Sequence, residues 1–370
     1  MTKDSIYMSH LDRVMKCPGS LDFTNPLEDP DTTKRDEGSV AAEYFEKKIL
    51  ELDIGTHTKK GLPYTDEMPI FLDPIVDSIN ALDNPKHSTI QVETRCDWVT
   101  RAGIWLRGKF DVSLVHQEDT LYIGDLKYGW GLVEVHNNWQ LIAYAIGEVI
   151  RRGKAFNKIV LQIYQPRPHH EDGVIRSWEM SYKELMDYKE KIEAKMLEIK
   201  NGNNTLATGN HCKFCSYATS CPAMNKSFYR GVDVIHEFLE DNISDQELAF
   251  QLDLINRIEE IMKIKKSSME LLATTRIKDG KIIPGYAIMP NIADRQWKKE
   301  VSPELIKLMT GYDIIEQKIL SPAKAEKLGV PKDIIAKMVE RPFLGNKLKK
   351  SNTTKTGNQI FGNKQPTKEI

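Results

Sequence analysis

Residues 124–147 read GDLKYGWGLVEVHNNWQLIAYAIG, and the way this stretch divides decides the fold. Its first residues finish a strand that runs from Thr120 to Lys127, with Leu121, Ile123 and Leu126 as its apolar positions. Its last residues open a helix over 137–152, on which Trp139, Ile142, Ala143, Ile146, Val149 and Ile150 form an apolar stripe. A second strand, Lys158 to Gln165 (KIVLQIYQ), follows and stops at Pro166. Strand, helix, strand in this order argues for an α/β domain.

Working outward, Gly103 to Val115 pairs with the Thr120 strand across the turn His116-Gln117-Glu118-Asp119, and Thr89 to Thr100 supplies a third strand. Residues 37–52 read as a helix, 53–88 as loop-rich with a short helix at 70–82, and 182–200 as a Lys/Glu-rich helix. Beyond residue 222 come a long helical pattern at 245–275, a β-hairpin from Gly280 to Trp297 and short helices at 302–340. Residues 346–370 are rich in Lys, Asn, Thr and Gly and predict a disordered tail. The expected organisation is a domain over 1–222, a mostly helical module over 223–345 and the tail at 346–370.

The 370 residues carry 52 Lys and Arg against 53 Asp and Glu, a net charge of −1. A polyanion partner must therefore be argued from local residues rather than from a basic total. No apolar run is long enough to span a bilayer, and the first residues do not read as a signal peptide, so the expected place is the cytoplasm and no membrane partner is expected.

In a strand, side chains alternate, so Asp125 and Lys127 share a face, and Asp111 of Gly108-Lys109-Phe110-Asp111 can sit across from them on the neighbouring strand. Two converging carboxylates suit a hard divalent cation such as Mg²⁺ or Mn²⁺. A lysine beside them positions or deprotonates water, or stabilises charge on a phosphate. Gln140 and Tyr144, at i and i+4, lie on one face of the following helix.

Gly-x-x-Asp, then Asp-x-Lys, then Gln-x-x-x-Tyr resembles the RecB-like branch of the PD-(D/E)XK nucleases, in the form that phages and prophages carry. The resemblance implies a restriction-endonuclease-like core, a central mixed sheet flanked by helices. It implies Mg²⁺- or Mn²⁺-dependent hydrolysis of DNA, with exonucleases on ends or single strands predominating, in phage replication or recombination. Asp111, Asp125 and the Leu126 carbonyl would hold metal, Lys127 would be the catalytic lysine, and Gln140 and Tyr144 would contact DNA. A single-strand annealing or single-strand-binding protein is an implied partner. One motif departs. Where the branch has Gly-Thr-x-x-His, this chain has Gly38-Ser39-Val40-Ala41-Ala42, so Ala42 replaces a metal-binding histidine, with Glu43 or Glu46 as the nearest substitutes. That departure keeps open a catalytically weak or inactive DNA-binding module.

Cys212-Lys213-Phe214-Cys215 and Cys221 put three soft ligands within ten residues. Three do not close a tetrahedral site or a cubane cluster, and Cys17 or His211 could supply the fourth ligand, while Cys96 reads as a buried core residue. A lone distant cysteine plus Cys-x2-Cys-x5-Cys resembles the iron–sulfur subset of RecB-like nucleases, among them AddB and the CRISPR adaptation nucleases, and implies a structural 4Fe–4S cluster on Cys17, Cys212, Cys215 and Cys221. Zn²⁺ on the same cysteines is the alternative, and with it a zinc-stabilised structural or interaction protein. The run Pro166 to Asp172, with His169 and His170, reads as a solvated turn, and Trp130, Tyr128 and Trp139 are aromatics flanking the Asp-x-Lys strand.

Overall fold

The structure is a computed structural model that describes residues 4–23, 33–82, 88–213, 215–237 and 244–287. The chain divides into two units, Met1–Met289 and Pro290–Ile370, and every described residue lies in the first. The expected short helices at 302–340, the tail and most of the Gly280 to Trp297 hairpin lie outside the described residues; of that hairpin, an isolated bridge joins Ile283 to Tyr286.

In chain order the elements are β1 (Ser5–Tyr7), α1 (Leu11–Lys16), α2 (Thr33–Ile49), α3 (Glu67–Leu82), β2 (Ser88–Arg95), β3 (Trp98–Val99), β4 (Trp105–Arg107), β5 (Lys109–His116) and β6 (Thr120–Leu126). There follow α4 (Trp139–Arg152), β7 (Lys158–Tyr164), β8 (Ile175–Ser181), α5 (Tyr182–Lys200), α6 (Pro222–Glu237) and α7 (Asp245–Lys278). The main sheet is mixed, ordered β2-β5-β6-β7-β8, and a small second sheet is ordered β1-β4-β3. In the main sheet β6 and β7 alone run parallel. A parallel pair needs a crossover, and α4 supplies it.

Local chemistry sets the ends of that crossover. Asn138 caps α4, its side chain accepting from the amides of Gln140 and Leu141, and Gly153 closes it with φ of 62°. On α5, Ser181 and Glu184 form a reciprocal capping box. Helices α4 and α5 cover one face of the sheet, with Leu121, Ile123, Ile142, Ile146, Ile159 and Leu161 in a common core. Helices α2 and α3 cover the other, where Phe45, Leu72, Ile75, Val112 and Tyr164 pack together and Leu126 joins them. Asp125 therefore continues the α4-facing side of β6 and Leu126 the opposite side.

The expected strands at 89–100 and 103–115 each break in two, and at one place. The Cys96 amide donates to the Gly108 carbonyl, and the Gly108 amide donates to Asp97 Oδ1. These bonds turn both chains out of the main sheet and into the small one, beneath α4. Trp98 Nε1 donates to the Ala143 carbonyl there, and Cys96 is fully buried, as expected of a core cysteine. Burial pushes its thiol pKa up to about 12, with Glu148 next in effect.

Gly147 is the close contact that lets α4 lie down. A Cβ at this position would stand 2.0 Å from the Cys96 carbonyl oxygen. Alanine improves helix propensity by roughly 1 kcal/mol, but forcing backbone apart in a packed interior costs about 1–3 kcal/mol or more. Gly147→Ala should therefore lower the urea midpoint followed by circular dichroism; an unchanged or raised midpoint would show that α4 can shift freely.

Among the described residues, no helix is long and apolar enough to cross a membrane.

Candidate active site

The β5–β6 ladder pairs Val112 with Gly124, and the β2–β5 ladder pairs Val92 with Val112 and Thr94 with Phe110. The next row would set Glu93, Asp111 and Asp125 side by side on three strands. Neither of those pairs appears in the ladder, and Glu93 has φ of 50°. The sheet opens at this row, at the C-terminal end of β6, and the acidic side chains collect there. Gly124, one position before Asp125, gives room: a Cβ would meet the Tyr164 ring at 2.2 Å.

Asp125 is buried and Asp111 is half-buried. Asp111 Oδ2 accepts from the Leu126 amide at 2.5 Å. Lys127 Nζ lies 2.6 Å from Asp125 Oδ2 and donates to Gln140 Oε1 at 3.4 Å. Gln140 Nε2 donates to Asp125 Oδ1 at 3.0 Å and to the Tyr144 hydroxyl at 2.7 Å. Asp125, Lys127, Gln140 and Tyr144 thus form one network, and Asp111 holds the Leu126 amide that lies between Asp125 and Lys127.

Burial, then the charge of Asp125, raises the Asp111 carboxyl above its ordinary value, against the Leu126 amide and Lys127. Lys127 shifts upward: burial works to lower it, but the charges of Asp125 and Asp111 outweigh burial. Lys127 is thus held as an ammonium, which suits it to orient water or stabilise negative charge rather than to act as a base. Tyr144 is raised by burial and by Asp125. The Tyr144 ring is buried beneath Gly108, and its hydroxyl accepts from Gln140.

Two acids share a confined place with one ammonium, so protonating Asp111 is the cheaper arrangement without a cation. An Asp with a raised folded pKa contributes full stability below its unfolded value of about 3.9 and loses it as pH rises through the folded value. Asp111→Asn should therefore stabilise the metal-free protein by on the order of 1 kcal/mol at pH 8, and less at pH 5. Thermal melts at the two pH values check this; a gain that does not grow with pH would contradict it.

Beside Asp111 a cleft of about 370 Å³ is lined by Ala42, Glu43, Glu46, Glu93 and Lys109 among others. Glu43 Oε1 accepts from the Lys59 amide and the Tyr64 hydroxyl. Burial opposes ionisation of Glu43, yet these bonds and Lys47 hold its carboxyl below the ordinary value. The donors present, all carboxylate oxygens with the Leu126 carbonyl, suit Mg²⁺ or Mn²⁺ by type.

A second cluster forms where Cys17, at the end of α1, meets the segment before α6. Cys212 and Cys221 pack with Met224, Ile264 and Cys215. Cys17 Sγ accepts from the Ala207 amide at 3.5 Å, and the Gly19 amide donates to the Thr205 carbonyl. Burial raises the thiols of Cys17 and Cys212, and the other cysteines of the set add to the rise in each. All four are free thiols. His211, the alternative fourth ligand, turns Nε2 to the Ala207 carbonyl at 3.0 Å. Among the described residues, no group of three or more His, Cys, Asp or Glu is drawn tightly enough together to hold a metal ion as it stands. The type of donor, soft sulfurs of which Cys17, Cys212 and Cys221 are buried and Cys215 partly so, suits iron–sulfur or zinc.

A family model described as "Protein of unknown function (DUF2800)" matches residues 6–351. The chain belongs to the DUF2800 family. Among solved structures, this DUF2800 chain is similar to one described as "Crystal structure of SSO0001", at 13% identity and a TM-score of 0.30, over 60% of this chain and 87% of that one.

Two features of the DUF2800 chain escape a reading by spacing. Glu93 reaches the acidic cleft where the β2–β5 ladder breaks, which a lone Glu in VET does not announce. Arg167 belongs to the segment expected to be a solvated turn. Its side chain is instead buried, paired to Glu37 and Glu67 and stacked over Tyr128 with its guanidinium 3.9 Å from the ring centre. His169, in the same segment, is exposed.

Proposed function

We propose that this chain is a divalent-metal-dependent DNA nuclease of the PD-(D/E)XK type, acting on ends or single strands in phage DNA replication or recombination. The observation that carries the reading is the closed triangle Asp125–Lys127–Gln140, joined by Tyr144, with Asp111 on the Leu126 amide beside it at the end of β6. A mixed sheet with a parallel β6–α4–β7 crossover supports the fold assignment.

Asp111, Asp125 and the Leu126 carbonyl would hold Mg²⁺ or Mn²⁺, with Glu43 or Glu93 available where Ala42 stands. The bound cation supplies Lewis-acid stabilisation of phosphate charge and a more acidic water. The side chains do the rest. Lys127, held against Asp125 and Gln140, would orient water or stabilise negative charge on the phosphate. Gln140 fixes Lys127 and Asp125 relative to each other, and Tyr144 fixes Gln140. Cys17, Cys212, Cys215 and Cys221 would hold a 4Fe–4S cluster, or Zn²⁺ in its place, tying α1 to the segment before α6.

Digestion of linear, end-blocked and circular DNA, each with Mn²⁺ and with chelator, tests the reading. Metal-dependent loss of linear DNA with circular DNA spared is the expected result. Failure to cut any substrate with Mn²⁺ overturns the nuclease, and equal cutting of circles overturns the preference for ends.

A further inference from the structure

We infer that Trp130 is a stacking platform for an unpaired nucleobase beside the active site, which makes the substrate a strand with unstacked bases. The inference rests on the nuclease reading and adds the substrate's form.

Trp130 stands in Tyr128-Gly129-Trp130-Gly131-Leu132, directly after Lys127. A tryptophan this close to a core strand ordinarily packs inward. Tyr128 does so, but Trp130 is 69% exposed. The loop that carries it is nevertheless tied down. The Lys127 amide donates to the Tyr164 carbonyl at one end. From beneath, the buried Gln165 donates through Nε2 to the carbonyls of Gly129 and Gly131 and accepts at Oε1 from the Val133 amide. Buried Arg176 holds the same Oε1 in turn. Three backbone bonds from one buried amide bracket Trp130 on both sides, so the indole is held out by design of the backbone and not by slack. Its position relative to Lys127 is set by the same bonds.

The Arg167 guanidinium lies between the two aromatic residues, 3.9 Å from the Tyr128 ring centre and 5.5 Å from that of Trp130. Glu37 and Glu67 hold Arg167 in place. A cation over an indole orients the ring at little entropic cost. A large π face that is oriented, exposed and three residues along the chain from Lys127 fits the flat face of a base. Such stacking tolerates any sequence, because every base has a π face, but needs the base out of a duplex.

The test is binding of fluorescein-labelled oligothymidylate to the full chain, read by anisotropy with Ca²⁺ replacing Mn²⁺ so that no cleavage intervenes. Trp130→Ala should weaken binding about 5- to 150-fold, and Trp130→Phe should restore most of it. An oligomer with abasic sites opposite the protein should bind wild type as weakly as the intact oligomer binds Trp130→Ala, with no further loss in that variant. Duplex DNA should show a much smaller effect. Equal binding by wild type and Trp130→Ala overturns the inference, as does an equal loss on intact and abasic strands. Trp130-dependent binding without any Mn²⁺-dependent cleavage by wild type would overturn the nuclease and leave the platform standing. No binding by wild type would overturn both.

Discussion

Lys127→Ala should lower Mn²⁺-dependent hydrolysis of labelled single-stranded DNA by about 10²–10³-fold, with the melting transition retained. The lysine is half-buried, and its ammonium touches Asp125 and Gln140. Alanine removes the one positive charge of the network while leaving both carboxylates. A divalent cation can still neutralise those carboxylates, so metal and DNA should bind while the chemical step fails. Lys127→Arg keeps charge but spreads it over a planar fork that cannot occupy the same point, so it should rescue poorly. Wild-type rates in the alanine variant would remove Lys127 from the reaction.

Cys212→Ala should abolish the broad visible absorbance of anaerobically purified protein and lower its stability by several kcal/mol. Cys17 and Cys212 are far apart in the chain, and a metal clip across so long a loop is worth about 4–5 kcal/mol in loop-closure terms. Cys17→Ala and Cys215→Ala should behave alike, because any one ligand opens the clip. Cys96→Ala is the control: Cys96 is buried in the other core and hydrogen-bonded toward Gly108, and its loss should leave the spectrum unchanged. Colourless protein holding stoichiometric zinc would replace iron by zinc on the same ligands. Metal-free native protein with every thiol titratable would refute both.

The sequence states β6, α4 and β7 openly, because each carries one uninterrupted period and clear ends: Asn138 and Gly153 for the helix, Pro166 after the strand. Strand alternation exposes Asp111, Asp125 and Lys127, while Gln140 and Tyr144 stand out only through the resemblance that their spacing completes. Where polar groups do structural duty inside the protein, the pattern fails. Strand β8 has Arg176 buried against Gln165, which spoils the apolar alternation and hides the strand. The breaks at Cys96 and Gly108 depend on two long-range hydrogen bonds that no local window contains. Glu93 joins the cleft where the β2–β5 ladder breaks, and Arg167 is buried by two acids far away in sequence. Trp130 is visible as a residue, but its exposure depends on Gln165.

Calorimetric titration of Mn²⁺ into chelator-treated wild type, Asp111→Asn and Asp125→Asn tests most directly whether these carboxylates meet at a cation. The account predicts saturable binding by wild type that each substitution weakens at least about tenfold. Mn²⁺ binding of the same affinity in all three proteins would contradict it.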